Sequence, residues 1–214
     1  MKKKLMIAIV LKALVILSGC AAVKYPTYYT MHVPPPADPP AQRNVHSALA
    51  VREFRSPPYL HQGAIVYKTS PEQIGFYNYH RWATDPRDFV TSAVADYLRA
   101  SGTFTQVKPY DGRADINYVL SGRLDKLEEI DYDGGVKVEV ALSAQMVRLS
   151  TGATVWTNSV SEVGQVDKHD VPTVVAEMSS TMERAIEQLL TPGPAVSSGP
   201  TTIGKLEEPK EDKK

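Results

Sequence analysis

A single cysteine occurs in the chain, so neither an internal disulfide nor a thiolate-rich metal site can form. The five histidines, His32, His46, His61, His80 and His169, show no metal-ligand spacing, and no His-Glu-x-x-His helix appears. No metal is expected. There is no Gly-x-Ser-x-Gly elbow and no phosphate-cradling glycine loop, so nothing supports a serine nucleophile or nucleotide hydrolysis. Positive charge is not in surplus either. The 24 basic residues are matched by 24 acidic ones, and nucleic-acid binding, which needs clustered basic surface, is excluded. Long apolar runs are also missing. The longest, Leu5 to Leu17, is interrupted by Lys12 and falls short of the ~20 residues that span a bilayer.

What is present begins with that run. Lys2, Lys3 and Lys4 precede it, giving residues 1–19 the order of a signal peptide. Leu17-Ser18-Gly19-Cys20 then resembles the lipobox of bacterial lipoprotein precursors, in which small residues admit the chain to a peptidase and the cysteine thiol takes a diacylglyceryl group. Lipidation of Cys20, with diacylglycerol and an N-acyl chain and no other cofactor, accounts for a thiol that has no partner. Several acyl chains at ~0.8 kcal/mol per buried methylene make such an anchor permanent. Ala21 stands where an inner-membrane retention signal would place Asp, which favours the periplasmic face of the outer membrane. Loss of the four lysines in residues 1–19 leaves the mature chain mildly acidic, at about −4.

Residues 20–47 read as the lipidated N-terminus, a first strand at Tyr28-Tyr29-Thr30-Met31, and a tether stiffened by Pro34-Pro35-Pro36 and Pro39-Pro40. The folded domain is expected over 48–191, and 192–214, rich in Pro, Gly, Ser, Lys and Glu, is expected to be disordered. Leu49 to Phe54 and Ala64 to Tyr67 are short strands about the turn Ser56-Pro57-Pro58, and Gly75 to Trp82 is extended. A helix follows. Asp85 can cap it, Pro86 suits its first position, Phe89, Val90, Ala93, Val94, Tyr97 and Leu98 form one stripe, and Gly102 ends it. Period-two alternation from Ile116 to Asp125 and from Val136 to Met146, joined by Asp133-Gly134-Gly135, predicts antiparallel strands with one wet face. Thr151-Gly152 turns the chain into a further strand from Thr154 to Glu162. A second helix starts near Asp170, with Val174, Val175, Met178, Met182, Ala185, Ile186 and Leu189 on one face. The expected class is α+β: two layers, a mostly antiparallel sheet with both amphipathic helices on one face.

Two clusters carry candidate chemistry. Glu128, Glu129, Asp131 and Asp133 precede two glycines and resemble part of a calcium loop, but they lack its closing glutamate and its helices. A solvated hairpin end is the expected reading, and a glycosidase carboxylate pair is the weakly supported alternative. The second cluster is aromatic: Tyr59, Tyr67, Phe76, Tyr77, Tyr79 and Trp82. Two readings stay open: core packing, or a surface that contacts a partner or lipid through Tyr59, Tyr77, Tyr79 and Trp82. Tyr77 and Tyr79 are expected on one strand face.

Together the lipobox, the aromatic opening strand Tyr28-Tyr29-Thr30-Met31, Tyr59-Leu60, Ile65-Val66-Tyr67, Tyr77, Tyr79, Trp82-Ala83 before a helix, Gly102-Thr103-Phe104 and Trp156 resemble the ABC-type transport auxiliary lipoproteins, the family of the paraquat-inducible protein C component. The likeness covers about Cys20 to Leu190, and the Lys/Glu-rich tail departs from it. The resemblance implies a noncatalytic subunit of an envelope lipid-transport system. It would dock a mammalian-cell-entry domain protein at the outer membrane, as a homo-oligomeric ring. An outer-membrane assembly lipoprotein, of the lipopolysaccharide-insertion or Tol-like kind, is the alternative. An envelope hydrolase would need a nucleophile or carboxylate pocket that the motifs do not supply.

Overall fold

The computed structural model describes residues 24–35, 45–112, 115–132 and 134–191. The expected signal peptide, Leu17, Ser18, Gly19, Cys20, most of the proline run, Asp133 and residues 192–214 lie outside the described residues.

The long period-two stretches form three strands: β6 (Tyr118–Ile130), β7 (Lys137–Arg148) and β8 (Thr154–Gln165). They pair antiparallel in chain order, β6 to β7 and β7 to β8. Between β6 and β7 the chain turns through Gly134 and Gly135, both at positive φ, a conformation that a Cβ would strain. On β7, Val138, Val140, Leu142, Ala144 and Met146 are all buried, as alternation predicts.

The other strands are β1 (Thr27–Tyr29), β2 (Val45–Val51), β3 (Ala64–Ser70), β4 (Gln73–Trp82) and β5 (Phe104–Pro109). The edge of β6 away from β7 is shared: β2 pairs with its start and β3 with its end. Outward from β3 come β4, antiparallel, and β1; outward from β2 comes β5. The pairings β2–β6, β3–β6, β2–β5 and β1–β4 are parallel. The sheet is therefore mixed around an antiparallel meander. Parallel neighbours need a long crossover, and the chain passes from β2 to its parallel neighbour β5 through β3, β4 and a helix. Leu49, Ala50 and Val51 are buried in succession, the mark of a strand covered on both faces. Ala50 packs with Ile116 and Val119 in a small cluster, while Leu49 and Val51 join the main core.

Helix α1 (Pro86–Ala100) is capped by Asp85, whose side chain accepts from the Arg87 amide at 2.9 Å. Helix α2 (Val171–Leu190) is capped by Asp170, which accepts from the Thr173 amide at 2.9 Å. Val90, Val94 and Leu98 of α1 and Val174, Met178, Met182, Ala185, Ile186 and Leu189 of α2 enter one core with β6 and β7. Each fully buried aliphatic side chain contributes ~1.5–3 kcal/mol. Among the described residues no helix is long and apolar enough to cross a membrane.

Two details position the rest. Phe54, 1% exposed, lies flat on Gly122, where a Cβ would meet its ring at 2.2 Å. The Phe54 amide donates to Thr91 Oγ1 at 2.9 Å, tying the loop after β2 to α1. The second detail concerns the N-terminus. Since β1 already belongs to the sheet, the proline run lies between β1 and β2 and is not the link to Cys20. That link is residues 21–26.

Candidate interaction surface

Strand β4 carries three of the four aromatic candidates, and its pairing with β3 slips. Val66 is registered with Phe76, but Ala64 with Arg81, so β4 takes up extra residues around Tyr77 to His80. This irregularity separates side chains that regular alternation would put together. Tyr77 packs against the core, edge-on to His80 at 5.7 Å and tilted against Tyr67 at 5.0 Å. Tyr79 is 41% exposed. The expectation of one shared face fails here.

Tyr59, on the 3-10 turn Pro58–Gln62, and Tyr77 each reach a buried glutamate. Glu128 is 3% and Glu129 1% exposed, which overturns the reading of these acids as a solvated hairpin end. Both lie within β6, held between neighbouring strands. As consecutive strand residues they point to opposite faces. Tyr77 donates to Glu129 Oε2 at 2.9 Å, and His169 Nε2 stands 2.9 Å from Oε1. Burial pushes the Glu129 carboxyl above its ordinary range, against the hydrogen bond from Tyr77 and the pull of His169. Burial likewise raises Glu128, opposed by Lys68, whose Nζ lies 3.8 Å away. The Tyr59 phenol is pushed up to about 12, by burial first and then by the nearby Glu128 carboxylate. Tyr77 is raised further, again by burial first and then by Glu129. Both tyrosines therefore stay neutral at physiological pH.

Asp131 and His169, both exposed, bring ligand atoms within 4.8 Å of Glu129 and of each other. Such a trio could hold a cation. Glu129 is already engaged by Tyr77 and His169, so the arrangement is complete without one. The histidine comes from the loop before α2, two strands beyond Glu129 in the chain, and no local motif could have paired them.

Trp82 is 6% exposed and belongs to the core beside Tyr29, its partner in the β1–β4 register. It is not available as a contact residue, a correction to the aromatic-surface reading. Tyr59 and Tyr77 are half-buried. Tyr79 is left as the open member. It has company that sequence reasoning missed: Tyr25 at 78% and Tyr28 at 61% exposure, with Lys24 Nζ 4.6 Å above the Tyr79 ring. Tyr28 was read only as part of an opening strand. Its position in a three-residue edge strand, alternating with the half-buried Tyr29, exposes it.

The model of the ABC-type transport auxiliary lipoprotein component matches residues 29–189, from the last residue of β1 into the final turn of α2. The chain belongs to this family. Solved structures agree on the fold of this auxiliary lipoprotein. A Xanthomonas campestris protein superposes with a TM-score of 0.66 at 18% identity, over 77% of this chain and 92% of its own. An uncharacterized protein gives 0.62 at 15% identity, over 78% and 98%. A Chlamydia trachomatis hypothetical protein gives 0.50 at 6%, over 69% and 95%. A comparison with curated proteins finds no match. At these identities the likeness is one of fold.

Proposed function

We propose that this chain is a noncatalytic, lipid-anchored subunit of an ABC-type envelope lipid-transport system, docking the periplasmic mammalian-cell-entry component at the inner face of the outer membrane. The observation that carries the reading is the family match, which runs from the end of β1 into the last turn of α2. Near β4 the Tyr77 hydroxyl donates to Glu129, which His169 also approaches, an arrangement suited to holding shape. Docking would use open backbone. Among the described residues β8 pairs only with β7, leaving twelve residues of edge to which a partner strand could add. The same edge could supply one half of a head-to-tail contact in a homo-oligomeric ring. An acyl anchor on Cys20 would confine the domain to one membrane and raise its effective concentration for a partner that spans the periplasm.

Affinity purification of the intact lipoprotein in mild detergent tests this. Permease, ATPase and mammalian-cell-entry protein should copurify. Recovery of a β-barrel insertase without them would reject the reading in favour of an assembly factor.

A further inference from the structure

The distance between Cys20 and the sheet has a consequence for orientation. Lys24 lies four residues beyond the cysteine and Thr27, the first residue of β1, seven. A fully extended chain covers at most ~3.6 Å per residue, so Lys24 lies within about 14 Å of the cysteine and β1 within about 25 Å. A headgroup layer is itself roughly 5–8 Å thick, the difference between a ~30 Å hydrocarbon core and a ~40–45 Å bilayer shared over two sides. An acylated Cys20 would sit at the base of that layer. Lys24 then stands at most about 9 Å, and β1 at most about 20 Å, above its outer surface.

Those residues have the composition of a membrane interface. Tyr25, Tyr28 and Tyr79 are exposed, and Lys24 lies over the Tyr79 ring. Tyr28 is registered with Arg81, whose guanidinium donates to the Gln62 carbonyl at 3.1 Å, so a second cation borders the group. Rings with an apolar body and a hydroxyl tip settle at headgroup level, and the lysine complements anionic phosphates. Nothing in the core uses these three rings.

Resting on the lipid-anchor reading, we infer that Lys24, Tyr25, Tyr28 and Tyr79 form a membrane-facing patch that lays the β1–β4 edge of the sheet on phospholipid headgroups. The anchor then fixes orientation as well as location. The opposite edge, β8, lies five strand spacings away, on the order of 24 Å, and is left facing the periplasm.

The test uses the full lipidated protein, purified in detergent and reconstituted into phosphatidylethanolamine–phosphatidylglycerol vesicles. Tyr28→Trp, Tyr25→Trp and, on β8, Ser159→Trp are compared with the parent, whose Trp82 and Trp156 supply the background. The readout is quenching by phospholipids brominated near the carbonyl end of their acyl chains. Emission added by Tyr28→Trp and Tyr25→Trp should be quenched several-fold more than that added by Ser159→Trp. Equal, weak quenching in protein that floats with the vesicles overturns the inference and leaves the anchor intact. Shielding of the new tryptophans from aqueous iodide without lipid quenching overturns it too, because protein then covers the patch. Failure of the unmodified lipoprotein to float removes the anchor and the inference together.

Discussion

A carboxylate at 1% exposure, such as Glu129, keeps its charge only through its contacts. Its folded pKa is raised by burial, so the folded chain holds that proton more tightly than the unfolded one. Its contribution to stability is therefore fullest below the ordinary carboxyl range and is lost as pH rises through the folded pKa. Tyr77 and His169 oppose that upward shift of the pKa. Tyr77→Phe removes the hydrogen bond at 2.9 Å, and should lower stability by about 1.5–3 kcal/mol at neutral pH. The deficit should shrink in acid as the carboxyl protonates. Urea denaturation in neutral and mildly acid buffers measures it, and a deficit independent of pH would show that the phenol acts through packing alone. Little of this was legible beforehand. Residue identities place Tyr77 in a strand but read Glu129 as part of a hairpin end, and their meeting depends on the slip in β4 and on β3 lying between them. Tyr79, two residues away, ends up outside for the same reason.

At the scale of elements, local signals carried well. The caps Asp85 and Asp170, the stripes of α1 and α2 and the alternation of β7 act within a few residues, so the helices and the meander follow from the chain itself. Strand β5 and the parallel pairings do not. Phe104 is the one fully buried residue of β5, so its alternation is too weak to read, and its pairing with β2 is made across the chain. Gly122 illustrates a contact with no local signal. It sits in β6 as an unremarked small residue until Phe54 is placed on it. Because that ring is enclosed, Gly122→Ala should destabilise the domain by about 1–3 kcal/mol through overpacking, whereas Gly152→Ala would act through its positive φ alone. Thermal unfolding of Gly122→Ala beside Gly122→Ala/Phe54→Leu checks this. Partial rescue in the double variant is expected, and additive losses would place the strain elsewhere.

For the whole molecule, organisation follows from where the chain enters the sheet. With β1 in place by Thr27, one edge of the sheet is held near the N-terminus while β8 lies at the other. Pro34-Pro35-Pro36 and Pro39-Pro40 fall between β1 and β2 in the chain. An anchored, noncatalytic transport subunit requires first that Cys20 carry lipid, and mass spectrometry of the mature N-terminal peptide, with fractionation of the cells, tests this most directly. The account predicts cleavage before Cys20, a mass increased by diacylglycerol and an N-acyl chain, and recovery in the membrane fraction that Cys20→Ser abolishes. An unmodified thiol on protein free in the soluble periplasm would contradict it.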